Sequence, residues 1–317
     1  VRGTHAQNKA SEIGVAGQRC ALNITGNNLD KSKVHRGDWL LAEKIHDPVP
    51  RFDARIHVLS SELRPLSHWT PVHIHLGAAE VPSRVAILGT KSIEAGKTGL
   101  VQIILDRRIS ALKGDRFIVR DQSARRTIAG GSVIDPFSPA RGRAKPERIN
   151  FLNAMELGTP TEALEKLLAQ SPQGIDFSHF NTALNLTEAD NIKISSNVDM
   201  IQAESQTTIV ALSTKYFEKL KSDTINVLQE WHIKNSNKPG IGLDGLRRAL
   251  PIRISISLFE VVTESLVSEK KTLITTLMKK EIYTHSLYHK FYFDDYPKHL
   301  KKLDINIHHL AMMSLLL

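Results

Sequence analysis

The sequence predicts a multidomain protein that is all-β in its first half and α+β in its second half. Up to about residue 140, short runs of alternating apolar residues recur every 8 to 15 residues, with Gly and Pro between them. That spacing is typical of barrels and sandwiches. After Pro146 the apolar residues recur at helical spacing instead. The 317-residue length leaves room for two to four domains, each with its own hydrophobic core.

Strands separated by two breaks are expected in the first half. The segment from Asp47 to Arg51 predicts a joint between two β units, because its prolines disfavour regular pairing. A second break is expected from Pro136 to Pro146, where residues 137–146 hold two prolines, one glycine and three cations. The expected strands are Arg19 to Ile24, Trp39 to Glu43, Arg51 to Leu59, Pro71 to Leu76, Ser83 to Leu88, Leu100 to Leu105, Phe117 to Arg120 and Thr127 to Ile134.

A first α+β unit is expected after the second break. Thr159 and Glu162 have the spacing of a capping box, and Pro160 suits the first helical position. A second helix is expected to start at Asp176, and residues 200–212 read as extended. Two helices followed by a strand hairpin is the order of a winged helix.

The same order returns in a second α+β unit. Ser213 is placed to cap a long helix, and shorter helices are expected from Leu243 to Leu250 and from Ser257 to Leu266. The β-prone residues from His285 to Asp294 predict a wing.

Positive charge is concentrated in one part of the chain. Residues 107–148 hold eleven Lys and Arg against four acids, whereas the whole chain has a net charge of +9. Within this part, residues 112–136 predict a strand hairpin whose turn carries Arg125 and Arg126. A local positive field on a β scaffold favours binding to phosphate backbones. The alternative interpretation is a solvated basic face.

The composition argues against several functional classes. One cysteine, Cys20, excludes internal disulfides and a multi-cysteine zinc site, and fits a reducing compartment. No apolar run is long enough to span a membrane and no signal sequence opens the chain, so a cytoplasmic protein without a membrane partner is expected. His73 and His75 share a strand face, but a surface pair is favoured over a metal site, and no metal is assigned. No catalytic residue is assigned, and a hydrolase with an unrecognised site stays as a minor alternative.

Five segments in order resemble the bacterial selenocysteine-specific translation elongation factor, a relative of elongation factor Tu. The resemblance runs from Val1 to about Pro146 and continues less sharply to PGIGLDGLRRALP in the helical half. The five segments are VRGTHAQN, AGQRCALNITG, RGDWLLAE, HWTPVHIHLGAAEVPSRV and GDRFIVRDQSARRTIAGGSVIDP.

The resemblance implies elongation-factor-Tu-like β-barrels followed by tandem winged-helix domains. Residues 1–46 would be the C-terminal part of the first barrel and residues 52–137 the second barrel. Residues 147–212 and 213–296 would be two winged helices, followed by a divergent tail at 297–317. Since the opening residues read as the interior of a domain, we expect a fragment lacking the family's N-terminal GTPase domain and its last winged helices.

The function implied by the resemblance is selenocysteine incorporation. The intact family member delivers selenocysteinyl-tRNA to the ribosome at recoded UGA codons, and this part would bind the aminoacyl-tRNA. We therefore expect no enzymatic activity and no cofactor in this chain, since GTP and Mg²⁺ belong to the GTPase domain of the intact factor. The selenoprotein mRNA hairpin is read by the family's last winged helices, so it would be a partner only of the missing domains.

The resemblance also implies site residues. Arg19 takes the place of an asparagine that lines the amino-acid pocket in elongation factor Tu, and would contact the ionised selenocysteinyl group. On pattern alone a surface arginine is favoured over a fixed anion receptor at Arg19. Arg247 and Arg248 are candidate nucleic-acid contacts, which also admits a winged-helix DNA- or RNA-binding regulator without enzymatic activity. The expected tRNA phosphate contacts are Arg107, Arg108, Arg125, Arg126, Arg141, Arg143 and Lys145.

Overall fold

The chain begins with a small antiparallel sheet. The structure, a computed structural model, describes residues 1–6, 8–15, 17–26, 34–45, 47–205, 207–236, 238, 240–269, 272–277 and 281–286. Strand β1 (Gly3–Ala6) lies between β2 (Lys9–Ser11) and β3 (Cys20–Asn23). Strand β3 agrees with the strand predicted from Arg19 to Ile24, apart from one residue at each end.

The predicted strand from Trp39 to Glu43 is wrong. Residues 39–42 form no strand, and a 3-10 helix follows at Glu43–Ile45. This segment packs on the next domain instead of pairing: Trp39 lies against the barrel core. Gly37, at φ +98°, comes so close to Ala79 that a Cβ would lie 2.8 Å from the Ala79 Cα. The turn chemistry at Gly37 therefore takes precedence over the strand propensity that follows it.

Residues 49–135 form a closed antiparallel barrel, because their apolar side chains alternate and every strand edge finds a partner. Phe52, Ile56, Ile74 and Val119 are among the side chains that fill its interior. The strand order is β10-β11-β4-β9-β7-β6, and the two short strands β5 and β8 pair with each other. The strands are β4 (Val49–Val58), β5 (Leu66–Ser67), β6 (Thr70–Leu76), β7 (Ala79–Leu88), β8 (Ser92–Ile93), β9 (Thr98–Ile109), β10 (Arg116–Arg120) and β11 (Thr127–Asp135).

The proline-rich joint is shorter than predicted. Strand β4 already begins at Val49 and includes Pro50, although the sequence predicts an unpaired joint up to Arg51. The pairing of β4 with β9 shifts register between Val49 and Arg51, and this irregularity accommodates a residue that has no N–H to donate.

The first α+β unit follows the barrel. The predicted capping box is confirmed: the Thr159 side chain accepts from the Glu162 N–H, and the Glu162 side chain accepts from the Thr159 N–H. Helix α4 was not predicted, because Ile194 is the only residue it buries. The elements are α1 (Pro146–Met155), α2 (Pro160–Gln170), β12 (Ile175–Asp176), α3 (Phe177–Ala183), α4 (Glu188–Asn197), β13 (Met200–Glu204) and β14 (Ile209–Ser213), with sheet order β12-β14-β13.

The second α+β unit starts with the long helix that the sequence predicts, capped by the Ser213 hydroxyl. Most of the wing expected from His285 to Asp294 lies outside the described residues, and the described hairpin pairs Thr272–Leu277 with Glu281–Ser286. Residues 287–317, including the expected tail, lie outside the described residues. The elements are α5 (Thr214–Lys234), β15 (Ile241–Gly242), α6 (Leu243–Ala249), α7 (Ile256–Ser268), β16 (Thr272–Leu277) and β17 (Glu281–Ser286), with sheet order β15-β17-β16.

The first α+β unit packs on the outside of the barrel. Leu88, Leu100 and Ile134 belong to β7, β9 and β11, yet they share a hydrophobic cluster with Leu152 and Met155 of α1. The outer side of β7, β9 and β11 is thus covered at this point. On β10, by contrast, the outward residues Arg116 and Ile118 are exposed.

Candidate nucleic-acid interface

The turn between β10 and β11 is organised by one carboxylate. Asp121 Oδ1 accepts hydrogen bonds from the backbone N–H groups of Arg125 and Arg126, at 3.0 and 3.2 Å, and from the Ser123 hydroxyl at 3.0 Å. Its own N–H donates to the Arg126 carbonyl at 2.9 Å, and Ala124 completes the turn at φ +54°. These bonds, led by the Arg126 N–H, hold the pKa of Asp121 below its usual value. The backbone of both arginines is therefore fixed.

The two arginine side chains of this turn point into solvent. Arg126 Nη1 donates to Glu62 Oε1 at 2.6 Å, yet its side chain remains 59% exposed. Arg125 is exposed as well, and among the described residues it has no ion pair. The turn thus presents two guanidinium groups, of which Arg125 retains its full uncompensated charge.

A cleft of about 340 Å³ lies beside this turn at the same end of the barrel. Charged side chains line one part of it, and Pro71 and Ile128 supply apolar surface. Its polar wall includes Glu62, Arg64, Asp121, Gln122 and Arg126. The charged lining consists of two cations, Arg64 and Arg126, and two acids, Glu62 and Asp121.

The other predicted phosphate contacts lie elsewhere. Arg107 and Arg108 end β9, which is the opposite end of the barrel, and Arg108 Nη1 donates to the Pro48 carbonyl at 2.9 Å. Residues 137–145, which we call the strap, lie across the outside of the barrel and carry Arg141, Arg143 and Lys145. The seven predicted cations are therefore not one patch, since Arg107 and Arg108 lie at the other end of the barrel from Arg125 and Arg126.

Arg19 lies in an accessible position. It immediately precedes β3, whose Cys20 pairs with Ala6 of β1, and it is exposed. A side chain in this position is free to reach a ligand.

Arg247 and Arg248, on α6, share one carboxylate. Arg247 donates to Asp244 Oδ1 at 2.7 Å and to the Ile254 carbonyl at 3.0 Å, and Arg248 pairs with Asp244 Oδ2. The hydrogen bond from Arg247 is the main reason that the pKa of Asp244 lies below its usual value. Arg247 thus fastens the end of α6 to the loop before α7, while Arg248 remains 74% exposed.

Sequence reasoning missed a buried charged cluster between the barrel and α1. Arg148 donates through Nε and Nη2 to Asp53 Oδ2, at 2.8 and 2.5 Å, and through Nη2 to Asp135 Oδ2 at 2.7 Å. Gln102 holds the other oxygen of Asp53 at 2.9 Å and also donates to the Pro139 carbonyl of the strap at 3.1 Å. Desolvation by burial raises the pKa of Asp53, and the Arg148 charge opposes that rise. A second bridge joins Arg55 to Glu156.

The histidine pair lies on the outward side of β6, and both side chains are partly buried. His73 Nδ1 is 3.1 Å from Glu80 Oε1, and His75 Nε2 is buried with no hydrogen-bond partner among the described residues. Across the described ranges, no group of three or more His, Cys, Asp or Glu side chains is arranged to hold a metal ion. In those same ranges, no helix has the length and apolar character needed to cross a membrane.

Comparison with known proteins points to one family. Residues 53–140 match the family described as the β-barrel domain of the selenocysteine-specific elongation factor. The selenocysteine-specific elongation factor of Escherichia coli (strain K12) is 31% identical over 270 residues, which are 84% of this chain and 41% of that protein. That of Haemophilus influenzae is 38% identical over 157 residues, which are 50% of this chain and 25% of that protein. The chain thus spans less than half the length of these curated relatives.

A solved structure shares the fold. The crystal structure of the bacterial selenocysteine-specific elongation factor EF-Sec matches 96% of this chain and 45% of its own, with a TM-score of 0.63 and 17% sequence identity.

Proposed function

We propose that this chain, which belongs through its β-barrel to the family of selenocysteine-specific elongation factors, binds the aminoacyl-tRNA. The complete factor would deliver selenocysteinyl-tRNA to the ribosome at recoded UGA codons. GTP and Mg²⁺ would act in that complete factor, and this chain would contribute binding and no enzymatic step. The observation that carries the proposal is the Asp121-organised turn, which presents Arg125 and Arg126 at one end of the barrel.

The geometry of this turn suits phosphate groups. Arginine offers several N–H donors in a planar fork, which matches phosphate oxygens and keeps its charge at every physiological pH. Because Asp121 already fixes the backbone of both residues, a ligand has only their side chains to order. Less backbone conformational entropy is therefore lost on binding. Contacts of this kind position a nucleic acid without reading its sequence.

The helical half supports the same assignment. Helices α2, α3 and α4 followed by strands β13 and β14 have the order of a winged helix, and α5, α6 and α7 followed by β16 and β17 repeat it. We propose that residues 147–212 and 213–296 are tandem winged helices that follow the second barrel at 52–137, with residues 1–46 contributed by the first barrel. Arg247 and Arg248 would then be secondary contacts, because Asp244 offsets part of their charge.

The test removes the two charges and keeps the backbone hydrogen bonds that Asp121 accepts in the turn. Arg125→Gln/Arg126→Gln keeps both backbone N–H groups that bind Asp121, and should weaken binding to all tRNAs alike. The log–log salt dependence of the affinity should flatten by about one to two units. The control Lys215→Gln/Lys219→Gln removes two exposed charges from α5 and should leave both quantities unchanged. Equal losses of tRNA affinity in the two double variants would show that the turn is not part of the contact surface.

Specificity for the amino acid is assigned to Arg19. A selenol ionises far more readily than a serine hydroxyl, so a guanidinium at Arg19 would favour the selenocysteinyl group. Arg19→Asn should lower the preference for selenocysteinyl-tRNA over seryl-tRNA while leaving the salt dependence intact. Equal discrimination before and after the substitution would sink this role. Tighter binding to duplex DNA than to charged tRNA would favour a winged-helix regulator instead.

A further inference from the structure

We propose that Trp69, together with Arg143, is a stacking platform for an unpaired nucleotide of RNA. The proposal rests on the RNA-binding function above and adds a contact that is separate from the turn of Arg125 and Arg126. Trp69 is 44% exposed, whereas Trp39 packs against the barrel core and Trp231 is half-buried on α5. Among the three tryptophans, Trp69 is thus the one that the fold leaves open to solvent.

The backbone holds Trp69 in a conformation that side chains of its size rarely adopt. Its φ is +72°, in the left-handed region that favours glycine. The Trp69 N–H donates to the Val85 carbonyl at 2.7 Å, and the Ile87 N–H donates to His68 Nδ1 at 3.1 Å. Thr70 Oγ1 donates to the Ser67 carbonyl at 2.7 Å. These bonds fix the turn, so the indole is directed outward by the main chain and not by packing. Strain of this kind concentrates at functional sites.

Two side chains contact the indole over part of its surface. The His68 ring is stacked on it with the centroids 5.9 Å apart at an interplanar angle of 29°, and the Arg143 Cζ lies over the ring, 5.9 Å from its centroid. The 44% of Trp69 that stays exposed is the surface on which a planar group could lie, beside the Arg143 guanidinium.

The strap brings further positive charge to the same place. The bond from Gln102 to the Pro139 carbonyl ties this segment to the barrel, and Arg143 Nη2 donates to the Ala140 carbonyl at 3.2 Å. Arg141 and Lys145 on the strap are exposed. An aromatic ring beside clustered cations is the combination by which proteins hold single-stranded nucleic acid, with the base on the ring and the phosphate on the cation.

The chemistry favours an unpaired nucleotide over a duplex. In a duplex the faces of the internal bases are stacked on one another, so they are not free to lie on Trp69. An unpaired base offers a free face to Trp69. The proposal therefore predicts that RNA single strands contact the indole and that duplexes of the same length do not, although a duplex carries about twice the charge.

The experiment uses the full chain with Trp69 as its sole indole fluorophore, in the Trp39→Phe/Trp231→Phe background. An adenine hexaribonucleotide should quench this fluorescence in a saturable way, and a blunt-ended duplex of the same length should not. Equal quenching by single strand and duplex would overturn the proposal, and so would the absence of quenching by the single strand.

Substitutions tested in the otherwise unaltered chain separate binding from folding. Trp69→Ala should weaken hexamer binding by about 5- to 150-fold, the equivalent of ~1–3 kcal/mol of stacking, whereas Trp69→Phe should retain most of the affinity. Trp69→Gly should lose binding equally while keeping or raising the thermal midpoint, because glycine accepts φ +72°. Arg143→Gln should lower the salt slope by about 0.7.

The outcomes distinguish this proposal from the function on which it rests. If tRNA binding depends on Arg125 and Arg126 while Trp69→Ala changes neither tRNA nor hexamer affinity, the platform is refuted and the general function stands. If the chain binds no RNA at low salt, both are refuted.

Discussion

Replacing Arg148 by methionine should destabilise the barrel and the first α+β unit together. In the folded chain, Arg148 is the cation that faces both Asp53 and Asp135, and it joins helix α1 to strands β4 and β11. Methionine keeps an unbranched side chain of similar length but removes the charge and all the N–H donors. The variant therefore leaves two buried carboxylates without their counter-charge.

The structure sets the expected size of the effect. Arg148 is 12% exposed, Asp53 is 0% exposed and Asp135 is 5% exposed, so solvent screens this cluster little. Removing one partner of a buried pair costs about 3–5 kcal/mol. By comparison, Arg248 is 74% exposed and Asp244 is 53% exposed in their pair on α6. Solvent screens that pair, so Arg248→Met should cost much less and serves as the control.

Urea unfolding of the two variants and the parent chain at pH 7 provides the measurement. Burial raises the pKa of Asp53, so its protonated form favours the folded state. This contribution of Asp53 to the free energy of unfolding is fully present below its ordinary pKa of 3.8. It is lost as the pH rises through the raised pKa of Asp53 in the folded chain. In Arg148→Met the opposing charge is gone, so its deficit relative to the parent should shrink as the pH falls. The triple variant with Asp53→Asn and Asp135→Asn should recover part of the loss at pH 7. If Arg148→Met costs no more than Arg248→Met at pH 7, the cluster does not fasten the two units.

Two further predictions concern the barrel. The pKa of Asp121 lies below its usual value because the Arg126 N–H binds the carboxylate. The turn should therefore be ordered above the usual pKa and lose its order as the pH falls through the depressed value. An NMR titration that finds a normal or raised pKa for Asp121 contradicts this. Gly131→Ala should cost about 1–3 kcal/mol of unfolding free energy, because its Cβ would lie 2.4 Å from the Arg55 carbonyl oxygen. Gly130→Ala, whose Cβ would lie 3.7 Å from its nearest neighbour, is the control and should be tolerated.

Most of the barrel could be predicted because its information is local. Strand β10 alternates Phe117 and Val119 inward with Arg116 and Ile118 outward, and this period of two is visible in the sequence. The helix cap at Thr159 was equally readable, since a capping box spans only four residues. Helix α4 was not, because it has almost no apolar stripe and is held mainly through Ile194.

Only part of the site could be predicted, because some of its contacts join residues that are far apart in the sequence. The turn carrying Arg125 and Arg126 follows from a local hairpin pattern, whereas the separation of Arg107 and Arg108 from it depends on how the barrel closes. Asp53 and Asp135 occupy outward strand positions, where a charged residue normally indicates solvent. Their burial is produced by Arg148, which is 95 residues from Asp53 and 13 from Asp135. Single-sequence periodicity has no means of detecting such a partner.

The packing of the first α+β unit on the barrel bears on how the protein can be dissected. A piece cut after residue 140 would retain the complete family match but would present Leu88, Leu100 and Ile134 to water, and would leave Asp53 and Asp135 facing each other without Arg148. Such a piece would tend to self-associate through its uncovered apolar side. The packing continues past that unit, because Ala203 and Leu212 share a cluster with Phe259 of the second α+β unit. The boundary of the family match and the boundaries of the hydrophobic packing therefore do not coincide.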